Sequence, residues 1–316
     1  MIPKPSIYFF CPDLAHVLGG IKQTYRHVDV LNANGFDAWI VHRQKGFKIR
    51  WFEHDTRVMY EPAPVRKSVD VGVFPEIWGP NIDKWGKNIR RVILNQNCYY
   101  TFLAFGMNES AAPTYLHPNV IGTIVVSEDS EQYMEYAFAG LHVYRIRYSI
   151  DPKFFYPQPK KKQICLMPRK NADDVNAVLC TLQCRGALEG WEVVQIDKVT
   201  EAQAAAIMRE SALFLSFGGP EGFGLPPAEA LLCRCIVAGY TGRGGDEFMK
   251  PEFCYPVKFG DILAYGQIVE SILKQYEKDP AAFAQMTQKG AAFIAENYSE
   301  EQERQSIVSV WSRILG

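Results

Sequence analysis

The segment Pro152 to Lys162 (PKFFYPQPKKK) divides the chain into two stretches that begin alike, and this repetition most limits the folds open to it. Three prolines followed by a lysine run read as a linker, with Lys160 to Lys162 as a solvated hinge surface. Before it, Ser6 to Cys11 is a short apolar run and Gly19-Gly20 punctuates the chain. Ile21 to Asn34 then carries Tyr25, Val28 and Leu31 at helical spacing, Gly35 stands where a C-cap glycine belongs, and Phe36 to Val41 resumes a strand. That is a βαβ unit. Further strands are expected at Asp70 to Pro75, Arg91 to Asn95, Asn119 to Val126 and His142 to Ile150. Ser127 caps a helix that runs towards Gly140. After the linker the alternation restarts. Strands are expected at Gln163 to Met167, Val193 to Ile196, Ala212 to Phe217 and Ile236 to Ala238. Helices are expected over Asp173 to Leu188, from a Thr200/Gln203 capping box to Glu210, from Pro226-Pro227, over Asp261 to Lys278, over Ala281 to Asn297, and from Ser299 to Leu315. Repeated βα units imply two open, mostly parallel sheets, hence an α/β protein of two Rossmann-like domains. The boundaries read 1–157 for the first, 158–298 for the second, and 299–316 for a last helix placed to pack back on the N-terminal domain.

A length of 316 residues suits two such domains. The net charge of -1 offers no global basic field for nucleic acid. No apolar run reaches the roughly 18–20 residues that span a bilayer, and Ile7 to Cys11 is too short for a signal-peptide core. These features point to a cytoplasmic chain with no transmembrane segment, compatible with peripheral contact with a membrane. The eight cysteines lack zinc spacing, and no metal site is expected. The six histidines show no metal spacing either. His16, in the glycine loop, is the one placed to take part in a site.

The stretch Phe214 to Glu229, FLSFGGPEGFGLPPAE, follows a buried strand and opens a helix. In open α/β sheets ligands bind at this position, beyond the C-terminal end of a strand. Its glycines let backbone approach a ligand, and amides near a helix N-terminus suit phosphate. Pro226 and Pro227 have no N–H, so the donors are the amides around Phe223 to Leu225. Glu221 and Glu229 frame the loop. A carboxylate can accept two hydrogen bonds from a vicinal diol, as on a sugar or a ribose. Equally, Glu229 can serve the helix dipole and Glu221 can be a solvated acid. No G-x-G-x-x-G, Walker A or G-x-S-x-G pattern occurs, which disfavours dehydrogenase, P-loop and α/β-hydrolase readings.

EGFGLPPAEA, with its two glutamates eight positions apart, resembles the donor motif of the retaining GT-B glycosyltransferases of family 4 (group 1). Gly19-Gly20 resembles the glycine loop of that family's N-terminal domain. Cys235 to Ala238 with Gly244-Gly245-Asp246-Glu247 resembles the segment after the motif. The resemblance implies two Rossmann-like domains with a cleft between them. It implies transfer of a sugar, with retention, from a nucleoside-diphosphate sugar to a hydroxyl acceptor such as a glycan, a lipid-linked sugar or a small molecule. No cofactor or metal is implied. Glu221 would contact the donor sugar, with Ser216 beside it. Gly222, Phe223, Gly224 and Leu225 would place amides at sugar and diphosphate, and Glu229 would hold the ribose diol. Arg169 would bind the diphosphate, approached also by Gly19 and Gly20; Lys170, next to Arg169, is the candidate to supply the second cation, which the family draws from a lysine further on. Ile196, Lys198 and Val199 would lie at the base, and Lys22, Gln96 and Asn97 on the acceptor side.

Two departures stand out. Where the family has a Lys five positions after the Arg, this chain has Asp174. Where many members have a His after an N-domain strand, it reads Asn95-Gln96-Asn97. These departures keep two alternatives in view: a sugar-nucleotide epimerase, and a nucleotide-binding protein without turnover on the same scaffold.

Overall fold

The structure, a computed structural model, describes residues 4–107 and 110–316. It divides into two compact units: the chain up to Tyr148 together with Glu301–Gly316, and Ser149–Glu300.

In the first unit the strands are β1 (Ser6–Phe10), β2 (Asp37–His42), β3 (Val58–Tyr60), β4 (Val71–Pro75), β5 (Arg90–Leu94), β6 (Val120–Val125) and β7 (Val143–Arg145). They form one parallel sheet in the order β3-β2-β1-β4-β5-β6-β7. The order reverses between β1 and β4, a topological switch point of the kind that places ligands beyond the strand ends. The helices are α1 (Gly19–Ala33), α2 (Asn81–Trp85), α3 (Cys98–Phe105), α4 (Ala112–Tyr115) and α5 (Glu128–Ala137). β1 is buried on both faces, as a central parallel strand must be.

In the second unit the strands β8 (Lys161–Leu166), β9 (Glu192–Gln195), β10 (Ser211–Glu221), β11 (Ile236–Arg243) and β12 (Tyr255–Val257) pair in parallel, ordered β12-β11-β10-β8-β9. The switch point here lies between β8 and β10. Helices α6 (Ala172–Cys184), α7 (Glu201–Glu210), α8 (Leu225–Leu232), α9 (Ile262–Lys278) and α10 (Ala284–Asn297) complete it. Ile164, Leu166, Leu213, Leu215 and Ala238 meet Val178, Val269 and Leu273 in its core.

The last helix, α11 (Glu300–Leu315), belongs to the first unit over nearly its whole length. Ile307, Val310, Trp311 and Ile314 are buried at helical spacing. The fully buried Trp311 donates its indole N–H to His27 Nε2 at 2.7 Å and lies against Phe9. Buried Glu303 pairs with Arg26 at 2.5 Å.

Several elements depart from the sequence reading. β10 continues through Gly218-Gly219 to Glu221, and β11 through Gly242 to Arg243, because the glycine segments pair with one another. α8 starts at Leu225, one residue before the two prolines, with Gly224 at φ +90° as its N-cap. Only Val143–Arg145 of the expected strand His142 to Ile150 pairs. α3 had no period to announce it, since CYYTFLAF is apolar nearly all round; the Asn97 side chain caps it by accepting from the Tyr99 amide. Lys160 is not a solvated hinge lysine. Its ammonium donates to the last carbonyls of α7, Met208 O at 3.3 Å and Arg209 O at 2.9 Å, where the helix dipole favours a cation. Lys161 and Lys162 are exposed and begin β8.

Candidate functional site

The site in the second unit grows from β8 and β10, the strands flanking its switch point. β8 ends at Leu166, and the turn that follows carries Arg169, Lys170 and Asn171. Asn171 donates to Phe217 O at 2.6 Å, which ties this turn to the end of β10. Lys170 makes an ion pair with Glu221. The structure thus brings together the two residues that the sequence named separately. Arg169 is exposed beside them, with no hydrogen bond or ion pair among the described residues.

Glu221 sits in a cradle of missing side chains. A Cβ on Gly218 would lie 2.6 Å from its Oε1, one on Gly242 would lie 3.0 Å away, and one on Gly224 would lie 3.7 Å away. Glycine at 218 and 242 therefore makes room for this carboxylate, which a Cβ at 218 would force to shift, and the φ of +65° at Gly242 disfavours a side chain there as well. Gly244 comes closer still to the loop: a Cβ there would fall 2.4 Å from Gly222 O and 2.7 Å from Glu221 O. The Gly242–Gly244 turn is thus packed directly beneath Glu221-Gly222, a contact that sequence reasoning did not identify. The signal was the glycine density after β11.

Gly222, Phe223 and Gly224 are buried, with the Phe223 ring against Phe248 and Tyr298. Leu225 begins α8 and Glu229 is half-buried on its first turns. Ser216 points into the sheet and donates to Tyr240 O at 2.6 Å, so it supports the strand end rather than lining the loop. Asp174, the position of the family's lysine, accepts from the Tyr240 hydroxyl at 2.8 Å. Ile196 continues β9 by donating to Leu166 O at 2.8 Å, whereas Lys198 is exposed at φ +53° and Val199 precedes the α7 cap. These three follow the strand next to β8.

In the first unit Gly19 and Gly20 open α1, which the loop from Cys11 to Leu18 joins to β1. Gln96, after β5, donates from Nε2 to Gly20 O at 2.9 Å and to the Tyr148 hydroxyl at 2.8 Å. A Cβ on Gly20 would come 2.8 Å from Gln96 Oε1, so the glycine lets the amide reach the turn. The next amide, that of Asn97, donates to Glu76 Oε1 at 3.0 Å. Lys22 lies two residues after Gly20 on α1. His16 is exposed in the loop before α1. Asn95, by contrast, is a core residue bonded to Thr101 and Tyr115.

Glu76 had no sequence signal. It follows β4, across the switch point from Gly19-Gly20, and is buried. Burial pushes its carboxyl up to about 7 from 4.5, although the amides of Glu76, Gln96 and Asn97 pull it down. A carboxyl whose folded value is raised gives most stability below its unfolded value and loses it as pH climbs through the folded one. The window is therefore pH 4.5 to about 7, and the loss is about 3 kcal/mol. Glu76→Gln, which keeps an acceptor at the same volume, should gain on wild type in Tm as pH rises across that window. Thermal unfolding at a series of pH values checks it; a difference that stays constant with pH contradicts the assignment.

Among the described residues no group of three or more His, Cys, Asp or Glu side chains gathers as a metal cluster.

No family model matches the chain. Over 182 residues it is 25% identical to an α-1,6-glucosyltransferase of Actinobacillus pleuropneumoniae serotype 7, covering 55% of this chain and 54% of that protein. The chain thus matches about half the length of this curated relative. Sucrose-phosphate synthase of Thermosynechococcus elongatus superposes over 98% of this chain and 99% of its own, with a TM-score of 0.71 and 14% identity. Anabaena HepE, in a complex with UDP and glucose, superposes over 98% and 100% of the two chains, with a TM-score of 0.71 and 14% identity. A glycosyltransferase of Rickettsia africae gives a TM-score of 0.68 at 12% identity, over 99% of each chain. With two Rossmann-like units of parallel strands following one another along the chain, the fold is that of the GT-B glycosyltransferases.

Proposed function

We propose that this chain is a retaining glycosyltransferase of the family 4 type that uses a nucleoside-diphosphate sugar, with UDP-glucose the first donor to test. The observation that carries the proposal is the Glu221 carboxylate in its glycine cradle, paired to Lys170 and flanked by exposed Arg169, at the switch point of the second unit. Support for the donor comes from HepE, whose structures include complexes with UDP and with UDP-glucose, and from the glucosyltransferase relative.

On this reading the donor's diphosphate lies against Arg169, Lys170 and the amides of Gly222 to Leu225. Arg169 supplies a planar fork that matches phosphate oxygens. Lys170 exchanges Glu221 for phosphate when the donor enters, which frees Glu221 to accept hydrogen bonds from sugar hydroxyls. Glu229 takes the ribose diol. The bond from the anomeric carbon to the diphosphate breaks and the bond to the acceptor oxygen forms on the same face. The departing diphosphate oxygen receives the acceptor's proton. Fixed cations and loop amides carry the developing negative charge, so the step calls for no metal. The reaction belongs in the cytoplasm, where nucleotide sugars are at hand, and builds a glycan or a glycosylated small molecule.

Thermal-shift titration against UDP, GDP, ADP and their glucose conjugates tests the donor site. The expected result is a Tm rise with UDP and UDP-glucose. Glu221→Gln should keep the UDP shift, lose the extra shift that glucose adds, and lower turnover by about tenfold or more. Turnover unchanged in Glu221→Gln, or no nucleotide raising Tm, overturns the proposal.

A further inference from the structure

One surface of the first unit has no place in donor binding. α3 bears no charged residue, and its outer face is apolar: Leu103 is 75% exposed and Tyr100 44% exposed. The 3₁₀ turn at Glu76–Trp78 abuts its end so closely that a Cβ on Gly79 would fall 2.6 Å from Ala104 O. That turn presents Ile77, 45% exposed, and its Trp78 ring lies 6.2 Å from the part-exposed ring of Trp85 on α2. The guanidinium of Arg43 sits over Trp85 at 4.6 Å. From Arg43 the chain runs RQKGFKIR, with Arg43, Lys45, Lys48 and Arg50 all exposed and no acid between Asp37 and Glu53. Lys84 and Lys87 are exposed on either side of Trp85. Of the acids beside these cations, Asp83 is engaged by Arg91 at 2.5 Å and by Thr114, and Asp13 by His42 at 2.8 Å and by the Gln44 amide at 2.8 Å. The acids of α5 (Glu128, Asp129, Glu131 and Glu135) flank the opposite edge of α3, beyond Tyr99 and Phe102.

We propose that this ridge docks the protein on an anionic lipid surface, with Ile77, Trp85, Tyr100 and Leu103 entering the headgroup layer and the cations Arg43, Lys45, Lys48, Arg50, Lys84 and Lys87 facing lipid phosphates. Soluble chains seldom leave a row of aromatic and aliphatic side chains uncovered beside a block of one charge. Amphipathic tryptophan and tyrosine rings settle at the depth of lipid headgroups. A basic block next to an apolar face is the pairing that holds a surface helix on anionic lipid. The chain as a whole carries a net charge of -1, so the attraction is local and orients the molecule. Tyr60 fixes the basic loop by donating to Phe47 O at 3.0 Å, which presents its cations on a set surface.

Co-sedimentation of the full chain with vesicles tests this. One set is phosphatidylcholine alone; the other is an equimolar mixture of phosphatidylcholine and phosphatidylglycerol. Wild type should pellet with the mixed vesicles, not with the neutral ones, and should be released by salt. Lys45→Glu with Lys48→Glu should weaken binding by more than about tenfold, at roughly fivefold for each cation removed. Leu103→Glu should weaken it comparably. Lys278→Glu with Lys289→Glu, on the second unit, should bind like wild type. All these side chains are exposed, and unchanged Tm values confirm that the variants fold. No pelleting with the mixed vesicles overturns the inference, as does equal binding by wild type and both ridge variants. A concentration-dependent dimer in lipid-free buffer that Leu103→Glu dissolves also overturns it, since a second copy would then cover the ridge.

Discussion

Arg169→Ala should lower kcat for sugar transfer by about 10²–10³-fold while leaving Tm unchanged, the size of effect seen when one preorganised transition-state donor is removed. The two halves of the expectation rest on different observations. The unchanged Tm follows from exposure: Arg169 has no hydrogen bond or ion pair among the described residues, so its loss leaves no buried group unsatisfied. The fall in kcat follows from position. Arg169 stands in the turn after β8, beside the Lys170–Glu221 pair, where a diphosphate would gain charge as the sugar leaves. A Lys in its place keeps the charge but loses the fork, so Arg169→Lys should recover only part of the loss. Steady-state kinetics with saturating donor and acceptor check this. A variant that raises KM alone would assign Arg169 to ground-state binding.

Trp311→Ala should destabilise the first unit by about 3–5 kcal/mol, the range for emptying a large aromatic site in a core. Trp311 is fully buried and packs on Phe9 and His27. Its removal also strips the N–H that His27 Nε2 accepts. Burial holds the His27 imidazole down to about 3 from 6.5. A histidine with a depressed folded value gives its stability above the unfolded value and loses it as pH falls, here from 6.5 to about 3. Wild type should therefore weaken on acidification through that window. In Trp311→Ala, where water reaches the ring, the acid-dependent loss should be smaller. Denaturant unfolding at pH 7 and pH 5 checks both the size and the pH trend.

The sequence made the alternation of strand and helix legible because buried parallel strands and amphipathic helices print different periods. The Thr200/Gln203 capping box and the Ser127 cap are present in the structure as read, since both depend only on neighbours in sequence. What failed was structure decided at long range. β3 and β12 are three-residue edge strands that exist through pairing with β2 and β11. The Gly218-Gly219 stretch looks like loop alone and becomes strand only beside Thr241 and Arg243. The same limit applied at the site. EGFGLPPAE named Glu221, but nothing local showed that Lys170, 51 positions earlier, would turn towards it. Nor could the sequence show Gly242 and Gly244 leaving room for the loop, or Glu76 closing under Gln96-Asn97.

A ribosome delivers Trp311 long after the rest of its unit. Residues up to Tyr148 emerge with every strand of their sheet in hand, yet the slot beside Phe9 and His27 stays open until the 152 residues of the second unit have also been made. Of the two units, the one that starts earlier is therefore finished later. A chain cut or stalled between Glu300 and Ile307 would carry a complete second unit and a first unit with its apolar flank bare, the kind of species that chaperones hold and proteases remove.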